Sequence, residues 1–149
     1  TIAFALRGEI SPRDSASYML VQVLGGLVGM ILAHLMFDLS LLQESTKVRT
    51  GLGQWVAEGV ATFGLVATIL GCLRARPDAI AMAVGLYITA GYWFTASTSF
   101  ANPAVTVSRS LTDTFSGVQP GDAPAFIGMQ FVGAVLAVLV MRWLWRDAD

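Results

Sequence analysis

The sequence predicts an all-α membrane protein: a bundle of four transmembrane helices, with one complete re-entrant half-helix and the remnant of another. Three observations predict it. The composition is too apolar for a domain in water, and four apolar stretches have membrane-spanning length. One further apolar segment begins like a helix but is too short to cross.

Of 149 residues, 55% are apolar and only 13% charged, and the mean hydropathy is +0.66. Soluble domains carry about 25% charged residues. A large core cannot account for the deficit, because a chain of this size leaves much of its surface in water. The net charge is -1 and the basic residues are scattered, which excludes a nucleic-acid footprint. Cys72 is a lone cysteine in an apolar run and reads as a small buried hydrophobe. Thr1 opens the chain inside a structured-looking segment with no basic, signal-like start, so the expectation is a single domain over 1–149, incomplete at its N-terminus.

A bilayer core about 30 Å thick needs roughly 20 apolar residues of helix. The stretches Ser15–Phe37, Leu52–Leu73, Ala79–Ala96 and Ala123–Trp145 meet that length or approach it. The breakers Arg74-Ala-Arg-Pro-Asp78 and Gln119-Pro-Gly-Asp-Ala-Pro124 separate them. With four alternating spans, Arg7, Arg13, Arg74, Arg76, Arg142 and Arg146 fall on one side of the membrane. Lys47, Arg49 and Arg109 fall on the other. This asymmetry predicts that both chain ends face the cytoplasm in a multi-pass protein of the cell membrane. Trp55, Trp93, Trp143 and Trp145 lie near span ends, as interfacial rings do.

The connection from Ser97 to Asp122 is not an ordinary loop. Small residues Ser97–Ala101 lead into Asn102-Pro-Ala-Val-Thr-Val-Ser-Arg-Ser-Leu111. Asparagine at a cap followed by proline at the first helical position is a strong start signal. The result is a helix of two to three turns, too short to span and too apolar for water. A re-entrant loop plus half-helix resolves this, provided protein or a wet cavity surrounds its backbone.

Two matches mark an internal repeat. Thr1–Leu6 resembles Thr106–Leu111, and Gln22-Val-Leu-Gly25 resembles Gln130-Phe-Val-Gly133 in the same order. Each unit then holds a half-helix end, a polar turn and a span carrying Gln-x-x-Gly. The two spans lie three steps apart and run oppositely. That is an inverted repeat, whose shared site lies near the midplane.

Asn102-Pro103-Ala104 on a re-entrant half-helix, together with this repeat and a carboxylate inside a span, resembles the aquaporin, or major intrinsic protein, family. The resemblance covers the whole chain, from the end of a first half-helix through the third to sixth helices. It implies an aquaporin-like inverted-repeat fold lacking its first two helices and first Asn-Pro-Ala box. It also implies a passive channel for water and small uncharged solutes in a lipid bilayer, a homotetramer, and no cofactor or metal. Asn102 would donate to a passing solute and carbonyls of Ser97–Ala101 would accept, a stripe that replaces hydration without tight binding. The plainer reading of Asn102, a simple N-cap, is compatible with that role. Glu58 is the one carboxylate deep in a span and would support the re-entrant loop through its backbone donors, rather than relay protons. His34 reads as an interfacial hydrogen-bonder more than a pH gate. Gly25, Gly26, Gly29, Gly64 and Gly85 read as close helix packing.

The sequence departs from the family at its filter. Water-selective members place arginine directly after the second box, where this chain has Val105. Arg109 lies four residues on, about 6 Å further out. It can serve as a displaced filter cation or snorkel outward near Asp113, and the second is the expectation. The fifth-helix filter position falls at Tyr92 in the Gly85-Leu-Tyr frame, or at Ala90 counting back from Asn102; Ser99 is the loop contributor. A filter of Val105, Ser99 and an aromatic or small residue carries less charge than a strict water filter. Glycerol, urea and undissociated metalloid hydroxides are then candidate solutes. The competing class is a secondary transporter, which inverted repeats also build, but only Glu58 is available as a coupling carboxylate. A truncated fragment without activity of its own is the third reading. An enzyme is not expected, since no nucleophile set, metal-spaced cluster or phosphate loop is present.

Overall fold

The computed structural model describes residues 1–146, and they form helices and connections without a strand. The elements are α1 (Ile2–Leu6), α2 (Pro12–Met36), α3 (Leu52–Ala75), α4 (Ile80–Phe94), α5 (Pro103–Arg109) and α6 (Ala123–Leu144), with a 3₁₀ turn at Pro77–Ala79.

Local chemistry sets the boundaries. The Ser11 hydroxyl accepts from the Asp14 amide and Pro12 takes the first turn, so α2 starts three residues before the purely apolar stretch. Between α3 and α4, Arg76 leaves helical geometry and Pro77 opens the 3₁₀ turn. Among the described residues three helices, α2, α3 and α6, are long and apolar enough to cross a membrane. The fourth expected span is shorter: α4 has 15 residues, about 22 Å at 1.5 Å per residue. It ends where Thr95 turns extended and the chain enters the re-entrant loop. There the Thr95 hydroxyl donates back to the Gly91 carbonyl.

The interior is more polar than the periphery. Glu58, Ser97 and Thr106 are completely buried and Gln130, Ser45, His34 and Arg49 nearly so, while Leu20, Val21, Leu42, Met82, Leu86 and Trp93 are exposed. So many exposed large apolar side chains fit a lipid surround better than water.

The repeat reappears in the packing. The Gln22 side-chain amide donates to the Thr1 hydroxyl at 2.8 Å, and that of Gln130 donates to the Thr106 hydroxyl at 2.8 Å. Each Gln-x-x-Gly helix therefore grips the threonine of its own short helix. Each short helix also packs on the long helix of the other unit, α1 on α6 and α5 on α2. The α3–α6 contact is the tightest, because Gly133 faces the backbone of Gly59 and Phe63 directly. Small residues permit such approach between helices in lipid.

The 38–50 connection is tied down on the side where α5 ends. His34 Nδ1–H donates to the Leu41 carbonyl, and its Nε2 accepts from the Thr112 hydroxyl. This buried histidine is a hydrogen-bonding post, as its position near a span end implied. Asp113 accepts from both the amide and the hydroxyl of Thr46, and these bonds hold its carboxyl below the usual carboxylate value. A depressed carboxylate stabilises the fold above its unfolded pKa and loses that contribution as pH falls through the folded one. The Thr46–Asp113 clasp is therefore expected to persist through neutral pH and release only in strong acid. Amide exchange at Thr46 against pH checks this, and release near neutrality contradicts it.

A second expectation concerns Gly133→Val. The new Cβ overlaps the Gly59 carbonyl oxygen, a backbone atom that cannot step aside. Overpacking of this kind costs about 1–3 kcal/mol or more. In detergent the variant should aggregate at lower temperature than the parent, whereas Gly128→Val, where no atom lies within 4 Å, should not.

Candidate functional site

Residues Ser97–Ala101 sit outside any helix between α4 and α5, and three of them are left-handed: Thr98 (φ 63), Ser99 (φ 52) and Ala101 (φ 51). Non-glycine residues enter that region at a cost of about 1–3 kcal/mol each and stay only where surroundings over-determine them. Glu58 is what over-determines them. Its Oε1 accepts from the Phe100 amide at 2.8 Å, and its Oε2 from the Ala101 amide at 2.9 Å and from Gln130 Nε2 at 2.7 Å. The Thr98 amide donates to the Thr95 carbonyl and the Ser99 amide to the Ser97 hydroxyl.

All four amides from Thr98 to Ala101 are thus tied inward. Among the described residues no donor reaches the carbonyls of these four. The Ser97 carbonyl differs, because Arg49 Nη1 donates to it at 3.1 Å. A carbonyl has two lone pairs, so this bond leaves Ser97 one acceptor site where the other four carbonyls keep two.

Asn102 caps α5 as its sequence context implied. Its Oδ1 accepts from the Ala104 amide at 2.9 Å, and Pro103 opens the helix. With Oδ1 engaged, Nδ2 is left as the donor. Asn102, Pro103 and Ala104 border a cavity of about 340 Å³ that also touches Thr62, Gln130 and Thr1. Val105 and Arg109 border a second cavity of about 680 Å³, with Met30, His34, Thr112 and Ser116. The box and the residue after it divide the two along α5.

The filter candidates are only partly brought together. Arg109 does not turn toward Asp113. Its guanidinium lies 4.4 Å from the Phe100 ring centre and 5.9 Å from that of Tyr92. Asp113 is engaged by Thr46 and the aromatic faces offer a cation a semi-buried place, so the outward snorkel is overturned. Tyr92 is half-exposed on α4 beside this cation, and Val105 packs against the cluster of Phe100, Val118 and Phe126. Ser99 is not in this group. It is 2% exposed, its side chain lies against Gly91, and it borders neither cavity.

Sequence reasoning passed over Phe100 and Arg49. Phe100 lies within reach of both guanidiniums, Arg49 at 5.3 Å and Arg109 at 4.4 Å. No local pattern marks either residue, since their partners are 42 or more residues away or depend on the fold of the loop. Gln130 was visible as half of the repeat, and the buried threonine it would grip was the available clue.

Glu58→Gln places an NH₂ donor where an amide N–H or the Gln130 amide already donates. Each unsatisfied buried group costs about 1–3 kcal/mol. The variant should expose the 95–102 segment to limited proteolysis while leaving helix content unchanged by circular dichroism. Unchanged protection would refute the anchoring role of the carboxylate.

The Major intrinsic protein family matches residues 71–148, just over half the chain. The aquaglyceroporin AqpS of Rhizobium meliloti (strain 1021) is 57% identical over 148 residues, which is 99% of this chain and 64% of that relative. The chain thus spans somewhat under two thirds of the length of the curated relative it matches. No solved structure gives a significant match. With the capped half-helix, the anchored loop and the repeated glutamine–threonine grip in place, the chain belongs to the major intrinsic protein family.

Proposed function

We propose that this protein is part or all of a passive transmembrane channel for water and small neutral solutes, with glycerol, urea and undissociated metalloid hydroxides as candidates. The observation that carries the reading is the one-sided satisfaction of the re-entrant backbone: amides from Thr98 to Ala101 tied inward, carbonyls left as acceptors. Such a wall offers acceptors in sequence, and the Asn102 Nδ2 donor stands at its end. A neutral hydroxylic solute exchanges its hydration for these groups stepwise, which favours passage over retention. The name of the relative, aquaglyceroporin, supports the same class of solute.

Val105, Arg109 and Tyr92 form the side-chain part of the filter in this reading, while Ser99, packed on Gly91, supports the loop behind them. Valine after the box removes a guanidinium from the narrowest position. Arg109, held by aromatic faces one turn outward, restores a positive charge without filling that space. Glu58 and Gln130 hold the loop. The working form is a homotetramer in a cell membrane, with the chain ends toward the cytoplasm, and it needs no cofactor and performs no catalysis. A secondary transporter is disfavoured because Glu58, the one carboxylate deep in a span, is already engaged by three donors that hold the loop.

Stopped-flow light scattering of proteoliposomes tests this, with sucrose and then glycerol as osmolyte. The 149-residue chain and the full product of its gene should both be examined. Faster shrinkage in sucrose and re-swelling in glycerol are expected, whereas an inserted full product that accelerates neither would overturn the channel. Val105→Arg should slow glycerol entry on the order of tenfold, equivalent to roughly 1.4 kcal/mol of barrier, and spare most water flow. Equal loss of both would sink the filter assignment.

A further inference from the structure

Arg49 enters the sequence as one of three basic residues on the outer side, yet it is 6% exposed. Its guanidinium uses three nitrogens on three separate carbonyls. Nε donates to Gly117 at 2.7 Å, Nη1 to Ser97 at 3.1 Å and Nη2 to Phe115 at 2.9 Å. Its own amide donates to Asp122 Oδ2 at 2.8 Å. The 38–50 connection, the re-entrant loop and the α5–α6 connection are thereby joined at one planar group.

We propose that Arg49 is a positioning residue for the outer constriction: it fixes the outer end of the re-entrant loop, and with it the Phe100 ring on which Arg109 rests, and so sets which neutral solutes pass. The inference rests on the channel reading above and names a determinant of its selectivity. Glu58 holds the loop through the amides of Phe100 and Ala101, and Arg49 holds it through the carbonyl of Ser97. The left-handed residues Thr98 and Ser99 lie between those two anchors, and the third, Ala101, is held by Glu58 directly.

The coupling to Arg109 is electrostatic. Both guanidiniums lie within 5.3 Å of the Phe100 ring centre, and neither has an ion pair among the described residues. Like charges in a semi-buried site repel well beyond their strength in water. Burial first, and then the charge of Arg109, pull the pKa of Arg49 down, while Glu58 pulls it back up. Three carbonyls hold Arg49 in place. Arg109, resting between Phe100 and Tyr92 at the edge of the 680 Å³ cavity, has no such cage among the described residues and is the freer of the two to respond. Lysine cannot substitute, because a compact ammonium lacks the planar fork that spans three carbonyls.

The test is the ratio of glycerol to water permeability in proteoliposomes of the full gene product, for Arg49→Lys, Arg49→Gln, Arg109→Ala and the double variants. Monodisperse elution in detergent reports folding. The ratio should shift by at least about threefold in both Arg49 variants, and the shift should vanish in the Arg109→Ala background, as contacting residues couple. Folded variants with an unchanged ratio, or effects that simply add, overturn the proposal while the channel stands. Should the Arg49 variants fail to fold, Asp122→Ala removes the acceptor of the Arg49 amide alone. It should shift the ratio in the same direction, again dependent on Arg109, and an unchanged ratio there overturns the proposal. A parent that conducts neither solute removes the channel reading and this inference with it.

Discussion

A peptide N–H at membrane depth has no water to turn to, so non-helical backbone survives there only where the protein supplies partners. The segment Ser97–Ala101 is such backbone, and Glu58 is its supplier. One carboxylate accepts the Phe100 amide, the Ala101 amide and the Gln130 side chain, and Gln130 passes the link on to Thr106 of the short helix. The left-handed geometry at Thr98, Ser99 and Ala101, the placement of Asn102 at the helix cap and the freedom of the loop carbonyls all descend from that anchor. A carboxylate suits the task because it only accepts, and can satisfy several donors without presenting a donor of its own.

The same economy appears twice in the fold. Gln22 and Thr1 repeat what Gln130 and Thr106 do, and each short helix leans on the long helix of the opposite unit. Lipid tails are as apolar as leucine, so helices here gain little by hiding leucine from their surroundings. They gain by close packing and by hydrogen bonds between side chains. That accounts for the fully buried Glu58, Ser97 and Thr106 beside an exposed Leu42, Met82 and Trp93. It also accounts for the bare glycine contact at Gly59 and Gly133.

Charge is placed with care on the side where α5 ends. Two guanidiniums share the neighbourhood of Phe100, one caged by carbonyls and one resting on rings. Valine at position 105 leaves the residue after the Asn-Pro-Ala box apolar and compact. Positive charge is retained nearby, but it is set back from the half-helix start.

Composition, span lengths and the Asn-Pro start were enough to specify a helical membrane protein with a half-helix, because those features depend on local propensity and on the cost of unsatisfied backbone in lipid. The repeat was legible for a related reason: threonine and glutamine recur at matching places since each pair makes the same bond. Glu58 was legible because a carboxylate inside a span demands partners. Tertiary structure alone decided where Arg109 points, that Ser99 packs behind the loop on Gly91, and that α4 stops short. It alone revealed Arg49, whose three carbonyl partners lie 48 to 68 residues away. Backbone acceptors belong to every residue, so no side-chain pattern along the chain could have announced that cage. Only folding brings the three carbonyls to one guanidinium.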